Sequence, residues 1–144
     1  MSTRVVSVEP DETVRVAIAR MTEEHVGSVA VCDGHRLVGI FTERDVLWLA
    51  ASGTDFDEVR VGDVMTKRPV TATTDVRIVD AARFMDERKI RHLPIVEGEN
   101  LIGMVGIRDV LRTLVESIWS DHDAGARETA RDLLSRSAGS RSTR

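Results

Sequence analysis

Aromatic residues make up only 3% of the 144-residue chain, and the net charge is −4. A general nucleic-acid binder needs a basic field and rings that stack on bases, so no nucleic-acid partner is expected. Long apolar runs are also missing. The longest span a few residues, far short of the roughly 20 a membrane-crossing helix requires, so no membrane partner is expected either. The opening stretch MSTRVVSVEP meets Pro10 before any long apolar region develops, which does not read as a secretory signal and points to the cytoplasm. A single cysteine, Cys32, excludes an internal disulfide and a multi-cysteine zinc site. Inside SVAVCD it reads as a small buried hydrophobe rather than a nucleophile.

Catalytic signatures are lacking as well. The chain has no Ser-His-Asp or Cys-His order, no glycine-rich phosphate loop and no HExxH stretch. His25, His35 and His122 have no metal-ligand spacing with one another, so neither a catalytic residue nor a metal ligand is assigned. The expected class is a non-enzymatic module with no obligatory cofactor.

What the chain does have is a repeat. GIFTERDV begins at Gly39 and GMVGIRDV at Gly103, 64 positions later. The same shift pairs Val6 with Val70, Asp11 with Asp75, Ala17 with Ala81, Met21 with Met85, Gly34 with Gly98, Leu37 with Leu101 and Asp45 with Asp109, without a gap. In the first copy RVVSV reads as a strand. TVRVAIARMTEEH carries Val14, Ala17, Ile18 and Met21 at helical spacing, with Asp11 or Thr13 as its cap. SVAVCDGHRLVGIFT reads as a hairpin turning at Asp33-Gly34, and ERDVLWLAAS as a second helix. The second copy repeats the order with RPVTA, RIVDAARFMDERK, RHLPIVEGENLIGMVG and IRDVLRTLVESIW. The fold class is therefore α/β (α+β), two β-α-β-β-α repeats. Residues 1–53 form repeat 1, 54–66 a linker with the lead-in helix of repeat 2, 67–119 repeat 2, and 120–144 a further helix and a loose tail.

The chemistry of GIFTERD follows from its shape. A strand that turns into a helix leaves first-turn N–H groups pointing outward, a natural place for an anion. Thr42 adds a hydroxyl there, and Asp45, one turn along, accepts hydrogen bonds from both hydroxyls of a ribose. Thr-x-x-Asp at a helix start is equally close to a capping box that satisfies backbone donors and does nothing else. In the second copy Gly106 stands where Thr42 stood, so Asp109 keeps a ribose acceptor without a phosphate-binding hydroxyl. Two unequal sites are expected, the first complete and the second altered.

Three stretches, VGDVMTKRPVTA, KIRHLPIVEGENLIGMV and GIFTERD, together resemble a pair of cystathionine-β-synthase (CBS) domains, the tandem arrangement called a Bateman module. The resemblance covers roughly Arg4 to Trp119. It implies repeats related by pseudo-two-fold symmetry that sense an adenosine-containing ligand between them: AMP, ADP, ATP or S-adenosylmethionine. Asp45 and Asp109 would hold ribose, and Thr42, Arg44, Arg91, His92 and Arg108 would meet phosphate. The first copy would lack the lead-in helix that VGDVM gives the second. The resemblance also implies a homodimer through repeat helices, with occupancy passed to an effector protein. Val110, Leu111, Leu114, Val115, Ile118 and Trp119 form one wide apolar stripe for that purpose, helped by Val46, Leu47 and Leu49. Cover of the stripe by Ala130, Leu133 and Leu134 is the alternative use. The alternative function is a structural or protein-interaction module whose sites are degenerate.

Overall fold

The computed structural model describes residues 5–119 and 128–135. They fall into two compact units, one made of Val5–Pro69 with Glu99–Leu101, the other of Val70–Gly98 with the described residues from Ile102 onward. The loose tail expected at the chain's end lies outside the described residues.

In the first unit β1 (Ser7–Val8) lies parallel to β2 (Ser28–Asp33), which pairs antiparallel with β3 (Arg36–Thr42). Gly34 makes the turn at φ 66°, a conformation glycine adopts without Cβ strain. Between β1 and β2 runs α1 (Val14–Glu24), capped by the Thr13 side chain rather than by Asp11, and closed at His25 in the left-handed conformation. After β3 come α2 (Glu43–Ala51), the short α3 (Val61–Val64) and β4 (Thr66–Lys67), which returns to pair with β3. Val8, Val14, Ala17, Met21, Val29, Val31, Phe41 and Val61 form one buried cluster. It includes the inward stripe of α1, spaced as an amphipathic helix requires.

Val61 is fully buried in that cluster, and Val59, Val64 and Met65 pack beside it. The helix expected to lead into the second repeat therefore belongs to the core of the first, and the first repeat does not lack a cover. The physical reason is a close approach. A Cβ on Gly39 of β3 would overlap the Met65 side chain and come within 2.9 Å of the Thr66 carbonyl. Gly39 thus leaves the space into which this segment folds.

The second unit contains α4 (Ile78–Arg88), β5 (His92–Glu97), the paired β6 (Asn100–Gly106) and α5 (Ile107–Trp119). Its core gathers Ile78, Ala81, Met85, Leu93, Ile95, Val105 and Val110 with Ala130, Leu133 and Leu134. The last three sit on a helical turn at 130–135, the described part of the helix expected after α5.

The expected opening strand RPVTA does not form. Only Ala72 bridges Ile95, its N–H donating to the Pro94 carbonyl and its carbonyl accepting from Val96. In the first unit the Ala30 N–H holds the Val6 carbonyl at 3.0 Å. The counterpart of Ala30 is Pro94, which has no N–H to give, so the ladder stops at one bridge.

The stripe on α5 divides on folding. Val110 is buried and Leu114 packs on the core, whereas Leu111, Val115, Ile118 and Trp119 stay exposed. On α2, Val46 and Leu49 pack inward and Leu47 and Trp48 stay exposed. Ala130, Leu133 and Leu134 enter the core and leave the outer stripe open.

Candidate functional site

Each unit places a strand-to-helix corner where the sequence repeats its phrase. At the first, β3 ends in Thr42 and α2 begins at Glu43. The Glu43 N–H donates to the Gly27 carbonyl at 2.9 Å, tying the helix start to the beginning of β2. At the second, the Ile107 N–H donates to the Arg91 carbonyl at 2.9 Å, the same bond moved along the chain by one repeat.

Thr42 and Asp45 form a full capping box. The Thr42 N–H donates to Asp45 Oδ2 at 2.9 Å and its hydroxyl to the same oxygen at 3.2 Å. In return the Asp45 N–H reaches Thr42 Oγ1 at 3.4 Å. The two readings of the motif are thus not exclusive. One carboxylate oxygen is engaged by the cap, and a carboxylate has lone pairs in reserve for a further donor. Both side chains are half-buried, so the corner is shaped by the fold yet reachable from outside.

Beside this box the structure adds a residue the sequence reading missed. Glu43 bends back toward β2, so that a Cβ on Gly27 would lie 3.1 Å from its Oε1. Two carboxylates therefore flank the start of α2, with exposed Arg44 as the neighbouring cation. The available signal was an acid in the first turn of a helix, where the backbone dipole favours it.

The second corner has other chemistry. Gly106 leaves open the space a side chain would fill: a Cβ there would stand 3.7 Å from Asp109 Oδ2 and 3.9 Å from both the Arg91 carbonyl and His92 Cδ2. Gly106, Asp109, Arg91 and His92 thus converge, and no acid corresponds to Glu43, because Ile107 takes its place. Asp109 is also approached by Arg112 Nη1 at 3.4 Å. Arg91 and Arg108 are exposed and His92 is half-buried. Among the described residues no cluster of His, Cys, Asp or Glu could hold a metal. Nor is any helix there long and apolar enough to cross a membrane.

Cys32 is nearly fully buried. Desolvation, followed by the negative charge of Glu9, pushes its thiol above the ordinary value, which fits a packing residue and not a nucleophile.

The family model described as CBS domain matches residues 1–52 and 61–116. CBS domain-containing protein CBSX3, mitochondrial, of Arabidopsis thaliana is 36% identical over 111 residues. The match covers 73% of this chain, which spans 54% of that relative's length. A putative signal-transduction protein with CBS domains from Burkholderia ambifaria superposes with a TM-score of 0.75 at 28% identity, over 80% of this chain and 85% of its own. A CBS domain protein from Pyrobaculum aerophilum, complexed with AMP, superposes with a TM-score of 0.72 at 25% identity, over 81% of this chain and 95% of its own.

Proposed function

Because the chain belongs to the CBS-domain family, matched in both of its repeats, we propose that it is a regulatory module that binds an adenosine-containing nucleotide at its strand-to-helix corners and passes occupancy to a partner protein. The observation that carries this reading is the Thr42–Asp45 pair, a hydroxyl and a carboxylate held at the start of a nine-residue helix. That arrangement keeps lone pairs of Asp45 for a sugar diol, and the Thr42 hydroxyl, which here donates to Asp45 Oδ2, can donate to a phosphate instead, beside the exposed Arg44. Asp45 and Asp109 take ribose. Thr42, Arg44, Arg91, His92 and Arg108 take phosphate. The AMP held by the Pyrobaculum relative supports an adenine nucleotide as the ligand class. The module does no chemistry of its own, acts in the cytoplasm and works as a homodimer.

Calorimetric titration with AMP, ADP, ATP and S-adenosylmethionine tests the reading, using wild type, Thr42→Ala, Asp45→Ala and Asp109→Ala. Loss of affinity in Asp45→Ala larger than in Asp109→Ala is the expected result. No heat from any of the four ligands would leave the capping box as the whole role of the motif and favour an interaction module with degenerate sites.

A further inference from the structure

Val14 and Ile78 begin the first helices of the two units, and each is met by a segment from elsewhere in its own unit. In the first, the Val14 N–H donates to the Val59 carbonyl at 2.9 Å, the Val61 N–H to the Glu12 carbonyl at 2.9 Å, and Thr13 bridges Arg60. In the second, the Ile78 N–H donates to the Glu128 carbonyl at 2.8 Å, the Ala130 N–H to the Val76 carbonyl at 3.0 Å, and Arg77 bridges Thr129. The side chains follow suit: Met65 lies over Gly39, and Leu134 over Gly103. The sequences agree once aligned in this register, Val61-Gly-Asp-Val-Met65 with Ala130-Arg-Asp-Leu-Leu134. Residues 128–135 are thus to the second unit what the α3 segment is to the first.

The two covers differ in how they are fastened. Past α3 the chain runs into β4, which pairs with β3 at Gly39 and Ile40. Gly62 lies so close to Pro10 that its N–H bonds the Pro10 carbonyl at 2.8 Å, and a Cβ would come within 2.9 Å of that oxygen. The counterpart of Gly62 is Arg131, which reaches the Thr74 hydroxyl through its side chain at 2.8 Å, at an exposed position. Gly39 faces a backbone carbonyl as well as Met65, whereas the three atoms nearest a Cβ on Gly103 all belong to the Leu134 side chain, the first at 2.7 Å. The segment 128–135 also carries its own start signal, since the Thr129 N–H and hydroxyl both donate to Asp132 Oδ2, at 3.1 and 3.3 Å. Its outer positions 131, 132 and 135 are exposed, and its inner ones, Ala130, Leu133 and Leu134, are buried. It is an amphipathic turn, internally capped and tied by the same two backbone hydrogen bonds as its counterpart, but with side-chain contacts where the counterpart adds the Gly62–Pro10 bond and the β4–β3 pairing.

We propose that the second repeat presents a groove for a short capped helix, formed around Val76, Ile78, Gly103 and Val105, and that segment 128–135 is a strap that docks there reversibly. The seat of Leu134 on Gly103 then holds β6, and with it the Gly106–Asp109 corner three residues along the same strand. Release of the strap uncovers an apolar groove beside that corner and loosens the corner itself. This proposal is independent of the nucleotide reading, because its readout needs no nucleotide.

Amide hydrogen exchange on the full chain tests it. Gly103→Ala places a methyl group against Leu134 and should speed exchange across 128–135 at least tenfold, with faster exchange at 106–109 and at Ile78, whose N–H the Glu128 carbonyl holds, while the rest of α4 keeps its protection. Leu134→Ala, which removes the seat without adding bulk at Gly103, should speed exchange across 128–135 as well. Thr129→Ala, which leaves the core untouched, should give the same pattern as Gly103→Ala at smaller amplitude. Unchanged exchange at 128–135 in Gly103→Ala, Leu134→Ala and Thr129→Ala would overturn the proposal. So would opening of α4 beyond Ile78 in step with the strap, or an unmoved 106–109 when the strap opens.

Discussion

A single carboxylate oxygen, Asp45 Oδ2, receives both the N–H and the hydroxyl of Thr42, at 2.9 and 3.2 Å, and so ties the last residue of β3 to the first turn of α2. Asp45→Ala should then do two things at once. Loss of the cap partner lowers stability by about 1 kcal/mol, and loss of a charge-assisted ligand contact lowers AMP affinity roughly tenfold to a hundredfold. Chemical denaturation and calorimetry on one sample separate the two effects. A stability loss with affinity intact would confine Asp45 to capping.

Glu43 sets up an opposing charge at the same corner, its carboxylate lying against Gly27. Glu43→Gln should strengthen binding of ATP by a factor of about two to five, the scale of an exposed charge pair, and leave binding of uncharged adenosine unaltered. Raised salt should shrink the gain. Equal change for ATP and adenosine would mean that Glu43 acts by shape and not by charge.

Cys32 supplies a pH dependence of definite sign. Its thiol is held above the ordinary value of 9.0 by burial and by Glu9, so the folded state keeps the proton more tightly than the unfolded chain does. The stability this provides is complete below the ordinary thiol value and is lost as pH climbs through the raised one. Denaturation midpoints should fall on going above pH 9.0, and Cys32→Ala should flatten that part of the curve. A slope that Cys32→Ala leaves in place would assign the loss to other groups.

Four side chains on α5 and two on α2 present apolar surface to solvent, with Trp119 at 84% and Trp48 at 70% exposure. The proposed homodimer covers them. Sedimentation should find a dimer at micromolar concentration, and Trp48→Glu or Trp119→Glu should shift it toward monomer without unfolding either unit. A wild-type monomer at that concentration would remove the dimer from the proposal.

The order of elements could be read from the sequence because hydrophobic spacing and two glycine turns dictate it locally. The spans of α5 and of the two hairpins follow directly from that pattern. Two features needed knowledge of what lies across the fold. RPVTA has strand composition, yet its partner position is Pro94, and no local property of residues 68–72 reports that missing donor. VGDVM is apolar enough to cover either neighbour, so its allegiance rests on the space at Gly39, a tertiary fact. At the candidate corner the Thr42–Asp45 capping box was legible from the Thr-x-x-Asp spacing, and Asp45 also recurs as Asp109. Glu43 was not, because its part depends on where the side chain bends and not on its residue type.

The covers of the two units also differ in their distance along the chain from the helices they close. Matching residues in the repeats stand 64 positions apart, but the cover residues Arg60 and Thr129 stand 69 apart. The difference falls between the start of the second helix and the cover, and four of the five positions are matched by the greater length of α5, 13 residues against 9 for α2. The second cover thus reaches its groove from five positions further along the chain than the first does (69 − 64 = 5).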